Sequence, residues 1–197
     1  MKKPPESEQD ENPAAELISR SSRGDLSAFG LLMDSHKRYA YAVAFRLLHN
    51  TENAEDVVQE AFIRVWNNLQ AYRSEVKFTT WLYKIVINLC YDRMKMESRR
   101  RKWLGYFGGD REQDVAQSHD LVEDIENADL RRFILGEAKK LPPRQRLVFL
   151  LRDVQDFSLQ EIAEKTGMSI GTAKTNLCYA RQKIRVAVTQ REGGLQA

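Results

Sequence analysis

Apolar residues recur at helical spacing along most of this chain, and few segments alternate as a half-buried strand would. From Pro13 onward the pattern predicts one helix after another, interrupted at residues 50–53 and at Pro142-Pro143. Asp25 and Asn53 are the predicted N-caps of the second and third helices. The sequence therefore predicts an all-α fold.

The most regular apolar stripe covers residues 54–69, where apolar positions follow i, i+3, i+4 and i+7 spacing to the end. The opposite face of this helix is polar except for one isoleucine and consists of Asp56, Gln59, Glu60, Ile63 and Asn67. A small apolar centre with a polar rim is typical of a docking surface. A single exposed isoleucine is also common on protein surfaces, so the pattern leaves both interpretations open.

A long helix is predicted to begin at Thr79 or Thr80 and to reach residue 102, and one strip along it is polar and cationic. The strip consists of Lys84, Asn88, Tyr91, Lys95 and Arg99. Cations attract phosphates and an aromatic ring can stack on a base, so this strip suits contact with nucleic acid. Basic residues near a helix C-terminus also interact favourably with the helix dipole, so a solvated helix end is the alternative.

The segment at residues 158–185 has the features of a helix-turn-helix. Ser158 and Glu161 form a predicted capping box, Thr166-Gly167 should end the short helix, and Ser169 should cap the next one. The second helix has an apolar stripe at Ala173, Leu177, Ala180 and Ile184. Its outer face is polar and cationic and carries Gly171, Lys174, Thr175, Cys178, Tyr179, Gln182 and Arg185. Such a helix enters the DNA major groove, although an ordinary helical hairpin would give a similar pattern.

Residues 105–127 change the character of the chain, because glycines end the helical pattern and acidic residues follow. This composition predicts an interdomain linker, either a solvated tether or a segment that occupies a basic channel of a partner. The predicted organisation is a disordered tail at 1–13, a helical domain at 14–102, a linker at 103–128 and a helix-turn-helix domain at 129–190.

Composition narrows the possible functions. The net charge is only +3, so affinity for nucleic acid must come from local basic patches. Cys90 and Cys178 lie in no CxxC motif, which indicates reduced thiols in a cytoplasmic protein.

No apolar run is long enough to cross a membrane, and the N-terminus lacks the apolar core of a signal peptide, so no membrane insertion is expected. No HExxH motif or Walker loop occurs, and His36, His49 and His119 are scattered, so the sequence predicts no enzyme, no metal site and no cofactor.

A family resemblance rests on three motifs, namely NAEDVVQEAFIRVW at residues 53–66, FTTWLYKIVINLCYDRMK at 78–95, and LPPRQRLVFLLRDVQDFSLQEIAEKTGMSIGTAKTNL at 141–177. On these motifs the chain resembles bacterial RNA polymerase sigma factors of the extracytoplasmic-function (ECF) group in the sigma-70 family. The resemblance implies a first domain similar to sigma region 2 and a last domain similar to sigma region 4. It also implies an alternative sigma factor that binds core RNA polymerase, directs it to specific promoters and helps to melt the DNA.

The resemblance assigns roles to the candidate surfaces. The polar face of residues 54–69 would contact the β′ clamp helices of core RNA polymerase, the β flap would be a second polymerase contact, and an anti-sigma factor would be a further partner. The loop at 72–80 and the following helix would recognise the minus-ten promoter element, with one base flipped into a pocket. The residues implied there are Lys77, Phe78, Thr79, Thr80, Lys84, Asn88, Tyr91, Lys95 and Arg99. The second helix of the helix-turn-helix would recognise the minus-thirty-five element as duplex through Ser169, Gly171, Thr172, Lys174, Thr175, Cys178, Tyr179 and Arg181.

Several positions keep two interpretations. Trp81 is either a wedge that separates the strands or a core aromatic residue. Cys178 either contacts a thymine methyl group or is a redox-sensitive thiol. Relatives often carry arginine where Asn176 and Tyr179 stand here, and neither residue can make the bidentate contacts of arginine, which leaves the upstream sequence preference open.

A different class of function also fits a helix-turn-helix, namely a stand-alone DNA-binding transcriptional regulator. Such a regulator would bind duplex as a dimer and would need a self-complementary interface and a symmetric site. The sequence contains no heptad seam that would supply this interface.

Overall fold

The computed structural model describes residues 13–106 and 125–194, and in these ranges the chain is helical with no β-strand, as predicted. The first range contains α1 (Pro13–Ser22), α2 (Leu26–Leu48), α3 (Thr51–Asn68), a 3₁₀ turn (Leu69–Ala71) and α4 (Phe78–Tyr106). The second contains α5 (Ile125–Lys140), α6 (Pro143–Phe149), a π-helical turn (Leu150–Val154), α7 (Leu159–Thr166) and α8 (Ile170–Gly194). Both α4 and α5 extend into the predicted linker. The rest of that linker and the predicted N-terminal tail, apart from Pro13, lie outside the described residues.

The helix starts follow local capping, with one correction. Asp25 caps α2 as predicted, because its carboxylate accepts a hydrogen bond from the Ala28 backbone N–H at 3.0 Å. The prediction that Asn53 caps the third helix is wrong. Asn50 is the cap, because its extended backbone (φ −151°) lets its side-chain oxygen accept from the Asn53 N–H at 2.7 Å, and α3 therefore begins at Thr51.

Helices α2, α3 and α4 pack around the core of the N-terminal half, with α1 against α2. The predicted stripe of α3 faces this core, where Ala54, Val57, Ala61, Phe62 and Val65 are buried. Burial of a large apolar side chain such as that of Phe62 contributes about 1.5–3 kcal/mol to folding. This packing leaves the polar face of α3 in solvent.

The C-terminal half contains the predicted helix-turn-helix. The Ser158 hydroxyl accepts from the Glu161 N–H at 3.1 Å while the Glu161 carboxylate accepts from the Ser158 N–H at 2.8 Å, so the capping box is confirmed. Gly167 ends α7 with φ 72°, a left-handed conformation that glycine adopts without a steric penalty. The Ser169 hydroxyl then accepts from the Thr172 N–H at 3.1 Å at the start of α8. The predicted stripe of α8 is buried against the rest of this half, at Ala173, Leu177, Ala180 and Ile184.

The two halves pack against each other through one side of α4, which contacts α6 and α7. Buried apolar residues of both halves form one continuous cluster, in which Ile87 and Met94 of α4 belong with Leu147 and Leu151 of the C-terminal half. The two halves therefore share a core contact within the described residues.

Candidate functional site

The exposed face of α3 is the first candidate surface. All of its predicted members are exposed in the structure, and Ile63 keeps 56% of its surface accessible. Asp56 accepts a hydrogen bond from Arg93 at 3.0 Å, and Glu60 accepts one from Arg64 at 3.0 Å. Ion pairs this exposed contribute about 1 kcal/mol or less, so both carboxylates can exchange these partners for those of another protein.

A groove between α2 and α3 adjoins this face. It is lined by Lys37, Arg38, Tyr41, Glu55, Val58 and Gln59. The residues of α2 in this groove were not among the residues predicted from the sequence. The available signal was the cationic Lys37-Arg38 pair one helical turn before Tyr41.

The loop before α4 and the start of α4 are the second candidate surface. Lys77 and Thr80 are exposed and Thr79 is half-buried. Phe78 is only 5% exposed, because its ring packs on those of His36 at 4.9 Å and Tyr72 at 5.9 Å. Phe78 is therefore a mostly buried residue that supports the loop, and it also lines the cleft beside the loop.

An aromatic cluster with one internal hydrogen bond fixes the shape of this loop. The Tyr72 hydroxyl donates to the Val76 carbonyl at 2.6 Å across the turn, and burial raises the pKa of Tyr72. Trp81 is half-buried, with its ring centroid 5.2 Å from that of Tyr72 and 6.0 Å from that of Phe78. This position agrees with the core interpretation of Trp81.

A cleft lies beside the loop, between α1 and the start of α4. Its lining combines hydroxyl, amide, aromatic and cationic groups and includes Ser19, Ser22, His36, Gln70, Tyr72, Ser74, Lys77 and Thr79. A planar aromatic ligand with hydrogen-bonding edges is the chemistry that such a lining suits. The contribution of α1 to this cleft was not predicted, since no local pattern in α1 pointed to a binding role.

The strip along α4 is partly open to solvent. Lys84, Asn88 and Arg99 are exposed, whereas Tyr91 and Lys95 are half-buried. The Lys95 ammonium lies 4.3 Å from the centroid of the Tyr91 ring, a cation–π geometry. The Tyr91 hydroxyl in turn accepts a hydrogen bond from Arg144 of α6 at 3.2 Å.

The outer face of α8 is the third candidate surface. Lys174, Thr175, Cys178 and Tyr179 are exposed, as are Ser169 and Gly171 at its start. The half-buried Thr172 has its hydroxyl 2.8 Å from that of Ser169. Arg181 forms two hydrogen bonds with Asp153, at 2.6 and 2.9 Å, and the contact with this carboxylate raises the pKa of Arg181. The structure thus places Arg181 as a link from α8 to the π-helical turn, while the first turns of α8 present polar groups outward.

The described residues contain no cluster of histidine, cysteine or acidic side chains that would hold a metal ion. No helix in the same ranges is long and apolar enough to cross a membrane. Burial raises the pKa of the Cys90 thiol to about 12, whereas Cys178 is exposed. The three candidate surfaces offer polar and cationic contacts.

Comparison with known proteins follows the same division of the chain. The family model for Sigma-70 region 2 matches residues 32–100, and the model for Sigma-70, region 4 matches residues 137–184. The ECF RNA polymerase sigma factor SigW of Bacillus subtilis (strain 168) is 32% identical over 173 residues, covering 85% of this chain and 92% of its own length. The ECF RNA polymerase sigma-E factor of Escherichia coli (strain K12) is 29% identical over 178 residues, covering 85% of this chain and 90% of its own length.

Solved structures show the same fold. The sigma factor RpoE from Bartonella quintana, in complex with the anti-sigma factor NepR, has a TM-score of 0.57 at 23% identity and covers 83% of this chain and 98% of its own. CnrH in complex with the cytosolic domain of CnrY has a TM-score of 0.53 at 22% identity and covers 91% of this chain and 99% of its own. The comparisons give no support to a stand-alone regulator. The two family models and the identity to SigW establish that this chain belongs to the sigma-70 family, in the ECF group, and that it is an alternative sigma factor that directs RNA polymerase in transcription initiation.

Proposed function

We propose that this sigma factor divides its work among the three exposed surfaces described above. The α3 face binds core RNA polymerase. The loop at residues 72–80 and the α4 strip recognise the minus-ten element, and the first turns of α8 recognise the minus-thirty-five element. The observation that carries this proposal is that the predicted polar residues of α3, α4 and α8 are mostly exposed while the apolar stripes of the same helices are buried.

The α8 surface suits contact with duplex DNA. Lys174 supplies a cation for phosphate, and Thr175, Cys178 and Tyr179 lie on the face that would meet base edges in the major groove. Each good base contact contributes about 1–3 kcal/mol of discrimination. Since Asn176 donates to the Thr172 carbonyl at 2.8 Å within α8, its amide is committed to the helix and recognition rests on the neighbouring residues.

The α4 surface suits single-stranded DNA. Removal of a base from the stack costs a few kcal/mol, which contacts in a pocket must offset. The cleft beside the loop supplies aromatic and hydrogen-bonding groups for one such base, and Lys84, Asn88 and Arg99 extend away from it along the exposed strip. Phe78 lines this cleft and packs on Trp81 in the aromatic cluster, so both rings help to position the loop.

Domain boundaries, partners and location complete the proposal. Residues 14–102 form the polymerase and minus-ten domain, residues 129–190 form the minus-thirty-five domain, and 103–128 connect them. The similar RpoE and CnrH structures are complexes with NepR and CnrY, and NepR is an anti-sigma factor, so an anti-sigma factor is proposed here as well. The polymerase β flap is a further proposed contact. The protein is not an enzyme and acts in the cytoplasm, where RNA polymerase is found.

Charge reversal on the α3 face tests the polymerase contact. The double variant Asp56→Arg with Glu60→Arg should abolish co-purification with core polymerase while the helical content and unfolding midpoint stay close to those of the wild type. The matched control is Glu16→Arg with Asp34→Arg, because these carboxylates also lie in exposed ion pairs of the N-terminal half but are on α1 and α2. Co-purification that is unchanged in the first variant, or lost equally in both, would remove the α3 face from the proposal.

A further inference from the structure

The last turns of α4 expose large apolar side chains among cations. The sequence pattern predicts that this helix ends at residue 102, whereas α4 continues to Tyr106 and therefore carries Trp103 on its surface. Trp103 is 73% exposed and Met96 is 60% exposed. The other two tryptophans of the chain are half-buried. Large apolar side chains that stay in solvent close to one another are typical of an interaction surface.

Met96 and Trp103 form a narrow apolar line with an arginine on either side. At 3.6 residues per turn, Trp103 lies about 20° from Met96 around the helix axis. Arg99 lies about 40–60° to one side of this line and Arg100 lies about as far to the other. All four side chains are exposed, and together they are called the α4 end ridge. Since Arg99 is also the last member of the α4 strip, the ridge continues that strip by one helical turn.

The arginines of the ridge are not neutralised by acidic residues of their own helix. Only two acidic residues, Asp92 and Glu97, occur in α4. Asp92 accepts a hydrogen bond from Lys95 at 2.9 Å, and Glu97 accepts one from Arg146 of α6 at 3.0 Å. Each carboxylate is therefore engaged with another cation, and the ridge presents a local positive potential that suits an anionic partner.

The arrangement of the ridge favours a nucleic-acid backbone over a lipid surface. A helix that lies on a membrane needs a wide apolar face with its cations on the opposite side. Here an arginine interrupts the apolar surface on each side, and the next exposed apolar residue, Leu104, lies beyond Arg100. Cations next to a narrow apolar line instead match a sugar–phosphate backbone, where guanidinium groups bind phosphates and an aromatic ring packs on deoxyribose.

The position of the ridge along α4 indicates which part of the DNA it meets. From Phe78 beside the cleft to Trp103, the helix rises about 37 Å, which equals about 11 base pairs of duplex. The chain leaves α4 beyond the ridge and leads to the C-terminal half, which is proposed to bind the minus-thirty-five element. The end of α4 therefore points to the DNA between the two elements, which is paired up to the melted minus-ten element.

We propose that the α4 end ridge is a further DNA-binding site, which holds the backbone of duplex DNA directly upstream of the minus-ten element. Arg99 and Arg100 bind phosphates, and Trp103 packs with Met96 on the deoxyribose between them. This inference rests on the proposed minus-ten role of α4. Because backbone contacts carry no sequence information, the ridge raises affinity for every promoter and fixes the direction in which the duplex leaves the α4 strip.

The test uses holoenzyme assembled from core polymerase and the full-length chain, with two fragments of a promoter that it transcribes. The short fragment ends at the upstream edge of the minus-ten element, and the long fragment adds about one helical turn of arbitrary duplex without a minus-thirty-five element. Fluorescence anisotropy gives both dissociation constants, and their ratio is the gain from upstream duplex. Free protein is also titrated with phosphatidylglycerol vesicles, and a third fragment carries the upstream extension as a single strand.

The variants are Trp103→Ala and Arg100→Ala, whose side chains are exposed, and circular dichroism checks that they fold. Trp103→Phe is the conservative variant, because it keeps an aromatic ring. The matched charge control is Arg132→Ala, which removes an exposed cation of α5.

Trp103→Ala should reduce the gain about fivefold, since burial of roughly 40 Å² of apolar surface is worth that factor, and Trp103→Phe should keep most of the gain. Arg100→Ala should make the slope of log affinity against log salt about 0.9 less negative on the long fragment. Arg132→Ala should change neither quantity. A wild type without gain from upstream duplex, or a gain that Trp103→Ala leaves unchanged, would overturn the proposal.

The remaining outcomes would assign the ridge to another partner or role. A larger gain from the single-stranded extension than from the duplex would rule out the duplex site. Vesicle binding by the wild type that is lost in Trp103→Ala would assign the ridge to a lipid surface and refute the DNA contact. A wild-type holoenzyme that fails to bind the short fragment would refute the minus-ten role itself, and this failure is visible before any variant is compared.

Discussion

Acidification should destabilise this protein through His49, and the size of the effect follows from one pKa. His49 ends α2 in a left-handed conformation (φ 49°), and its Nε2 is buried without a hydrogen-bond partner in the part of the chain that the structure describes. Desolvation, followed by the positive charges of Arg146, Lys139 and Arg131, lowers the pKa of His49 from 6.5 to about 4. In the unfolded chain the imidazole returns to its ordinary pKa of about 6.5.

The sign of the pH dependence is set by this depression. The neutral imidazole contributes stability that is fully present above pH 6.5, and this stability is lost as the pH falls from about 6.5 towards about 4. Over this window the unfolded chain binds a proton that the folded protein does not bind. The loss is at most about 3 kcal/mol and is roughly 2 kcal/mol at about pH 5.

Urea denaturation at about pH 7.5 and about pH 5, for the wild type and for His49→Asn, measures this contribution. Asparagine tolerates the left-handed backbone and does not titrate, so it keeps the end of α2 and removes the proton site. Carboxylates also titrate below pH 5, and the difference between the two proteins separates His49 from them. Proton NMR of the His49 ring should give a midpoint near 4. A midpoint near 6.5 in the folded protein, or the same pH dependence in both proteins, would refute the argument.

Two further predictions concern the helix-turn-helix. Lys174→Ala should weaken transcription in vitro only from promoters that depend on the upstream element. In binding titrations it should reduce the salt dependence of promoter binding by about one ion pair. An equal loss on all templates would contradict upstream recognition. Gly167→Ala should lower the free energy of unfolding by about 1–2 kcal/mol, because the φ of 72° is unfavourable for alanine, and chemical denaturation measures it. The control is Gly30→Ala in α2, where the added methyl group meets open space and helix propensity favours alanine. If Gly30→Ala destabilised the protein as much as Gly167→Ala does, the left-handed backbone at residue 167 would not be the cause.

Features set by neighbouring residues were predictable from the sequence. The capping box of Ser158 and Glu161 and the caps at Asp25 and Ser169 each join residues three positions apart, so the local sequence contains both partners. The cap of α3 was misplaced because two asparagines lie within the same turn. Only the backbone decides between them, and the left-handed His49 sets Asn50 as the first extended residue after α2.

Features that depend on distant residues were not predictable. Phe78 stands among residues implied to bind DNA, but its burial depends on His36 of α2, which no local pattern links to the loop. Arg146 looks in sequence like one more cation in a basic helix start. Its partner Glu97 lies 49 positions away in the sequence, and its partners Leu48 and Leu47 lie 98 and 99 positions away. Only the packing of the two halves therefore shows that Arg146 is buried.

The contact between Arg146 of α6 and Glu97 of α4 joins a buried guanidinium to a partly exposed carboxylate, with side chains 2% and 32% exposed. Removal of one partner of a buried ion pair costs about 3–5 kcal/mol when the other charge stays buried without a partner, and in this pair Arg146 is the buried charge. The contact adds a polar link to the apolar cluster that the two halves share. It also lies close to the α3 face, since Asn53 of α3 donates to Glu97 and Asp56 accepts from Arg93, one turn before Glu97 on α4. If polymerase binds the α3 face as proposed, Asp56 must exchange its hydrogen bond from Arg93 for one from a polymerase group, and this exchange would change a contact between α3 and α4 next to Glu97.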